Sequence, residues 1–256
     1  MAILKTLTRL LKDLRNRILN YYTRLSFFWV TRILIFDIFR WILNRNSKII
    51  YSQTGECMII ETYLGNIKNG FYIDVGCNQP MHLSNTFRLY LKGWQGINID
   101  ANSVLIEKFK RIRLKDTCIC AAVSDEEKEI DFYMSDVEAV STMDPATYQE
   151  WKKLWKFNKV EKVKTKKLNT ILKENLEKDK KIDLLTIDVE GLDFNVLKSI
   201  DLNVYRPTLI VIEIHNLDIE NIAENIVCKY LKENEYKFAG YVIMNAYFIE
   251  DRSLKY

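Results

Sequence analysis

The stretch FYIDVGCNQPMHLSNT, residues 71–86, begins as a buried strand and then places one glycine, an amide pair, a proline and a histidine in a single turn. Its first five residues carry a lone acid, Asp74, among apolar neighbours, and Gly76 follows where the strand must end. Such a strand-to-turn transition positions a ligand at the carboxyl edge of a sheet. Downstream the same grammar repeats. GINIDAN, CICAAVSD, KIDLLTIDVEG and RPTLIVIEIH alternate with helical stretches, and YKFAGYVIMNAYFIEDR closes the series. Fully apolar strands alternating with helices predict a mostly parallel sheet covered on both faces, a doubly wound, Rossmann-like α/β domain. The last two strands, with Asn245 between them, are expected to form a hairpin at one sheet edge.

The polar residues of interest gather at the predicted strand ends. They are Asp74 with Gly76, Asp100 with Asn102, Ser124 with Asp125, Asp188 with Glu190, and Glu213 with His215. In a doubly wound sheet these positions share one edge. A carboxylate such as Asp100, at the end of the second strand, accepts both hydroxyl protons of a ribose, although a single strand-end Asp also serves as a helix N-cap. The first turn, DVGCNQP, lacks the G-x-G-x-x-G that brings a backbone to a pyrophosphate, which disfavours a dinucleotide such as NAD. A ribose-bearing ligand without phosphates, such as S-adenosylmethionine, suits the pattern better.

Outside this domain the chain changes character. Its 256 residues include 38 Lys and Arg against 34 Asp and Glu. Before residue 50 the charges are Lys5, Arg9, Lys12, Arg15, Arg17, Arg24, Arg32, Arg40, Arg45 and Lys48 against Asp13 and Asp37, so the remainder is net acidic. Leu4, Leu7, Leu11, Leu14 and Ile18 recur at helical spacing, and SFFWVTRILIFDIFRWILN (26–44) follows. Arg32 and Asp37 near the centre of that second block disfavour a membrane span, at about 2.5–3.5 kcal/mol per charge. Residues 1–47 therefore read as a basic amphipathic helical segment, and 48–256 as the α/β domain. The segment suits a membrane interface, or a cap packed on the domain or on a dimer partner. Its aromatics follow a helical stripe and not a stacking platform, and the α/β domain is acidic, so nucleic acid is not expected as a partner. Five cysteines without a C-x-x-C pair, and no secretory leader pattern, imply a reduced, cytoplasmic protein, with the inner membrane face as the alternative location. Between 136 and 161, VEAVSTMDPATYQEWKKLWKFNKV breaks the alternation; Ser141, Thr142, Trp151 and Trp155 are candidates for a lid, with ordinary surface packing as the alternative.

Taken together, GFYIDVGCNQPMHLSNT, KGWQGINIDAN, LNTIL, KIDLLTIDVEGLDFNVLKS and YRPTLIVIE resemble the FkbM-like S-adenosylmethionine-dependent methyltransferases. The similarity runs from SQTGE at 52–56 to the NAYFI strand at 245–249, departs from the family at Cys77 where alanine is usual, and leaves the first 47 residues unmatched. The resemblance implies S-adenosylmethionine as cofactor and O-methylation of a sugar hydroxyl on a surface glycan, glycolipid or related saccharide. A non-catalytic binding module, or methylation of a non-sugar hydroxyl, is the alternative. It further implies that Asp74, Gly76, Asn78, Asp100, Asn102, Ser124 and Asp188 meet the cofactor, with Gly76 admitting its methionine moiety. Asp188 and Glu190 lie on the substrate side. A hydroxyl acceptor must lose a proton, so His82 and His215, the two histidines, are candidate bases beside Asp188 and Glu190. Asp188 with Glu190 or Glu213 leaves room for a divalent cation, to which the sequence does not commit.

Overall fold

The computed structural model describes residues 12, 15–16, 18–43, 49–137 and 140–251, with 40–43 as backbone only. A seven-stranded sheet runs in the order β3-β2-β1-β7-β8-β10-β9, with β1 Phe71–Val75, β2 Gln95–Asp100, β3 Thr117–Cys120, β7 Leu184–Ile187, β8 Leu209–Glu213, β9 Tyr236–Val242 and β10 Asn245–Glu250. The first five are parallel neighbours, while β10 runs antiparallel to both β8 and β9. The hairpin is therefore present with β9 at the edge and β10 inside, and Asn245 is the first residue of β10 rather than part of the turn.

The apolar strands cover both sheet faces. Ile73, Val75, Ile97, Ile99, Leu185, Ile187, Ile210 and Ile212 enter one core, which the helices Leu168–Asn175, Asp193–Lys198 and Ile226–Glu233 close. The alternate residues Tyr72, Leu184, Leu209, Val211 and Tyr247 enter the other, with Ile60, Leu64 and Trp94. Period-two alternation sends successive side chains to opposite faces, so a strand such as LIVIE is buried throughout only if helices cover both sides.

The run CICAAVSD does not form one strand. β3 ends at Cys120 beside β2, and β4 (Ala122–Val123) turns away to pair with β6 (Phe157–Lys166) in a second sheet of order β4-β6-β5, where β5 is Glu129–Ser135. The irregular region is thus the connection between β5 and β6, and it contains the helix Pro145–Trp151. All five cysteines are free thiols.

The described part of the N-terminal segment packs directly on the α/β domain, in the manner of a cap. Helical backbone over 18–24 leads into the helix Phe27–Leu43. Tyr21, Leu25, Val30 and Ile33 are buried against Met81, Phe87, Tyr90, Leu91 and Ile112. Arg24 donates to the carbonyls of Trp94 and Gly93 at 2.6 Å each, and Asn20 donates to the Leu91 carbonyl at 2.8 Å. A boundary at 47/48 would cut through this cluster. The stripe Leu4, Leu7, Leu11 and Leu14 lies outside the described residues, as does the side chain of Trp41. On the outer side of the Phe27–Leu43 helix, Phe27, Phe28, Ile35, Phe36, Ile38 and Phe39 remain exposed, so apolar residues occupy two faces where an amphipathic pattern predicts one.

Candidate active site

β1, β2 and β7 end side by side, and their carboxyl ends open into a cleft. Asp74, Gly76, Asn78, Asp100, Asn102, Asp188 and Glu190 line it together with Val75, Ile99, Ala101, Leu105, Val123, Phe132 and Met143. An apolar wall with a few converging polar groups is the usual form of a cofactor pocket.

Gly76 sits at φ 78°, and a Cβ there would lie 1.7 Å from the carbonyl oxygen of Asp188. Glycine is therefore required so that the β7 end can close against the β1 turn. The Asp188 amide completes the junction by donating to the Val75 carbonyl at 3.0 Å. Asn78 is also left-handed, at φ 50°, and its amide donates to Asp100 Oδ2 at 3.1 Å. Asp100 Oδ1 accepts from the Asn102 amide at 2.7 Å. The Asp100 carboxylate thus ties the two loops that frame the cleft, and carboxylate oxygens can each accept a further bond. Asn102 lines the cleft but uses its Oδ1 to cap the helix Ser103–Ile112 through the Val104 amide, at 3.0 Å.

Asp74 is buried and accepts from Thr86 Oγ1 at 2.7 Å. Burial raises its pKa to about 6, although the Thr86 bond and the nearby Arg113 act the other way. Arg113 is itself fully buried. It donates to the Pro80 carbonyl at 2.7 Å, Tyr72 Oη at 2.9 Å and Ser84 Oγ at 2.9 Å, and lies over the rings of Phe87 and Tyr90. Asp116, which accepts from Tyr72 and from Asn98 Nδ2, pairs with it at 3.4 Å. One guanidinium therefore holds the 80–86 loop against β1. Nothing distinguishes Arg113 in the sequence, where it follows Lys108, Lys110 and Arg111.

The ends of β7 and β8 bring several acids together. Donor atoms of Glu190, Glu213 and His215 lie within 4.8 Å of one another, as do those of Asp188, Asp193 and Glu213. Asp193 accepts from the Val189 amide at 2.9 Å and the Gly191 amide at 3.1 Å, so it, and not Glu190, secures the loop ahead of the helix Asp193–Lys198. An acid in the first turn of a helix was the signal for it in the sequence. Glu190 is held at φ 56°, and its carbonyl accepts from Thr142 Oγ1 at 2.6 Å. Burial and then the Glu213 carboxylate push the Asp188 pKa well up; the same two causes carry Glu190 to about 8 and Asp193 to about 7. His215, with Nε2 3.0 Å from Glu213 Oε2, is raised to about 8 by that carboxylate.

Three expected residues, Ser124, His82 and His215, fall outside the cleft lining. Ser124 is buried, with its hydroxyl 3.2 Å from Asp125 Oδ1, because β4 leaves the main sheet before it; its neighbour Val123 takes the place on the wall. His82 is exposed, since the 80–86 loop turns Leu83 and Asn85 toward the cleft instead. His215 joins the acid cluster behind Glu190 and not the lining itself. The β5–β6 region contributes Phe132, Ser141 and Met143 to the wall, while Trp155 is exposed and Trp151 lies off the lining.

A parallel doubly wound sheet with β10 reversed between β8 and β9, and a cleft at the ends of β1, β2 and β7, is the architecture of a Rossmann-like methyltransferase. The chain matches the Methyltransferase FkbM domain over residues 74–238, and it belongs to that family. Among solved structures it is similar to a TehB-like SAM-dependent methyltransferase from Corynebacterium glutamicum ATCC 13032 Kitasato, at 10% identity and a TM-score of 0.39, covering 84% of this chain and 95% of that one. No curated protein matches.

The cofactor is S-adenosylmethionine, and the residues present fit it. Asn78 Oδ1 is a buried acceptor with no hydrogen-bond partner among the described residues, and it lies in the cleft lining beside the Asp100 carboxylate. Asp100 would hold the ribose, the wall of Ile99, Ala101, Leu105 and Val123 would take the adenine, and Asp74 and Asn78 would face the amino acid end. When bound, the cofactor supplies an electrophilic methyl group on a sulfonium.

Proposed function

We propose that this protein transfers a methyl group to a hydroxyl of a saccharide, such as a surface glycan or glycolipid. Support for an oxygen acceptor comes from one observation: Asp188, at the cleft wall, is a half-buried carboxylate whose strongest charged neighbours are all carboxylates. A raised pKa makes a carboxylate a competent proton acceptor near neutral pH, and a hydroxyl must shed its proton as it attacks. A sulfonium is already a good leaving group, so alignment between cleft walls supplies much of the remaining acceleration. Asp188 takes the role of base in this reading, and Glu190 and Glu213 keep its proton affinity high. The saccharide class rests on the family likeness. The test is transfer of labelled methyl from S-adenosylmethionine to defined mono- and oligosaccharides, with mass spectrometry locating the added CH₂. Transfer to a nitrogen-bearing acceptor, with none to a saccharide, refutes it.

We infer further that the exposed side of the Phe27–Leu43 helix meets an anionic bilayer surface. Phe28, Phe36 and Phe39 are each more than half exposed, and the chain before residue 50 is strongly basic. Apolar rings enter the acyl boundary while Lys and Arg meet anionic headgroups, at about 1 kcal/mol per charge. Among the described residues no helix is long and apolar enough to cross the membrane. Full-length protein is expected to float with vesicles containing phosphatidylserine at low salt, and Phe36→Asp with Phe39→Asp to abolish this. A dimer that these changes split, with no vesicle binding, contradicts it.

A further inference from the structure

We propose that Glu190, Glu213 and His215 form a site for one divalent cation of the Mn²⁺ type at the acceptor end of the cleft, an inference that rests on the methyl-transfer reading of that cleft. Two carboxylates and an imidazole offer three donor atoms within 4.8 Å of one another, which suits a single ion with bonds of roughly 2.0–2.4 Å. Glu213 is the last residue of β8, and Glu190 and His215 lie on the turns that follow β7 and β8, so all three gather at one edge of the sheet. Glu190 belongs to the cleft lining, and His215 is 41% exposed, which leaves an open side for an exchangeable ligand.

A second, independent observation is the state of the buried acceptors. Glu213 is 94% buried, and His215 Nε2, 3.0 Å from its Oε2, is that oxygen's one close partner among the described residues. Asn245 lies opposite Glu213 in the β8–β10 register, so both side chains emerge on the same sheet face. It is 91% buried, and its Oδ1 is unpartnered among the described residues. Buried charges are ordinarily paired or coordinated to metal, and a buried amide oxygen left without a donor is costly otherwise. The second acidic grouping, Asp188 with Asp193 and Glu213, is less suited to an ion because both Asp193 oxygens already hold backbone amides.

The mixed oxygen and nitrogen set selects a cation that tolerates both, which favours Mn²⁺ over Ca²⁺. An ion there would polarise an acceptor hydroxyl and lower its pKa, and its charge would also lower the raised pKa of Asp188, so the base and the acceptor would be brought down together.

The test uses full-length protein freed of metal with a chelator, then titrated with Mn²⁺ while electron paramagnetic resonance reports the free ion. One ion per chain is expected. Glu213→Gln should weaken binding at least tenfold, and so should His215→Gln, a change at a half-exposed side chain that keeps the fold safe. Circular dichroism on both variants confirms folding. Absence of stoichiometric Mn²⁺ binding overturns the proposal, as does wild-type affinity in the folded His215→Gln variant. Calorimetry with S-adenosylmethionine on the same samples separates the two readings. Cofactor binding without Mn²⁺ binding defeats the metal site alone, whereas Mn²⁺ binding without cofactor binding defeats the reading of the cleft.

Discussion

Replacing Gly76 by alanine tests the junction on which the cleft depends. A Cβ at this position would stand 1.7 Å from the Asp188 carbonyl oxygen and 2.6 Å from its carbon, both backbone atoms that cannot rotate aside. Relief requires the end of β7 to move outward by more than an ångström, which also breaks the bond from the Asp188 amide to the Val75 carbonyl. The left-handed backbone at φ 78° adds about 1–2 kcal/mol for any residue with a Cβ. Overpacking costs a further ~1–3 kcal/mol. The sum is roughly 2–5 kcal/mol, which for a chain of this size lowers the melting temperature by about 4–20 °C. Thermal and urea unfolding would measure it, and calorimetry would show S-adenosylmethionine affinity falling with it, because the β1 and β7 ends that wall the cleft separate. Gly240→Ala is the control: no atom lies within 4 Å of its added Cβ, so the change should stay within about 0.5 kcal/mol. A Gly76→Ala protein as stable as the Gly240→Ala control, with full cofactor affinity, refutes the reasoning.

Stability without added metal should fall as pH rises from about 5 to 8.5. Asp74, Asp193 and Glu190 titrate in the folded state at about 6, 7 and 8, above the ordinary carboxylate range, so the unfolded chain loses those protons first and gains on the native state through that window. His215, raised to about 8, acts in the same direction: its contribution is full below its ordinary pKa and is lost as pH passes about 8. Melting curves in metal-free buffers check this, and a melting temperature that rises steadily over the window contradicts it. Asp188→Asn should lower turnover by about 10²–10⁴ while leaving S-adenosylmethionine affinity within a few-fold, as read by steady-state kinetics beside calorimetry; unchanged turnover removes Asp188 as the base.

Much of this arrangement is legible in the sequence because parallel strands buried on both faces leave a distinctive apolar run. FYIDV, QGINID and LLTI each hold or lead straight into an acid at their carboxyl ends, which the sheet carries to the same edge, and this is why Asp74, Asp100 and Asp188 meet in one cleft. CICAAVSD reads as one strand because its composition does not register the break at Ala121, where β4 leaves for the second sheet, and Ser124 was misplaced with it. His82 illustrates a different limit. Position just past the first turn put it near the site, but side-chain direction depends on how Arg113 ties down the 80–86 loop, a contact with an arginine more than twenty residues further along the chain. The N-terminal segment shows the same limit at larger scale: periodicity finds its helices, but only tertiary packing reveals that Leu25, Val30 and Ile33 complete the domain core.

The account stands most directly on the binding of S-adenosylmethionine at the β1–β2 end of the cleft. Isothermal titration of the full-length protein should show one cofactor per chain, and Asp100→Ala should weaken it by about 1.5–3 kcal/mol, or roughly 10- to 150-fold, because the carboxylate that ties the Asn78 and Asn102 amides would also hold the ribose. A wild-type protein that takes up no S-adenosylmethionine, or an Asp100→Ala protein that binds it with undiminished affinity, would contradict the assignment of this cleft.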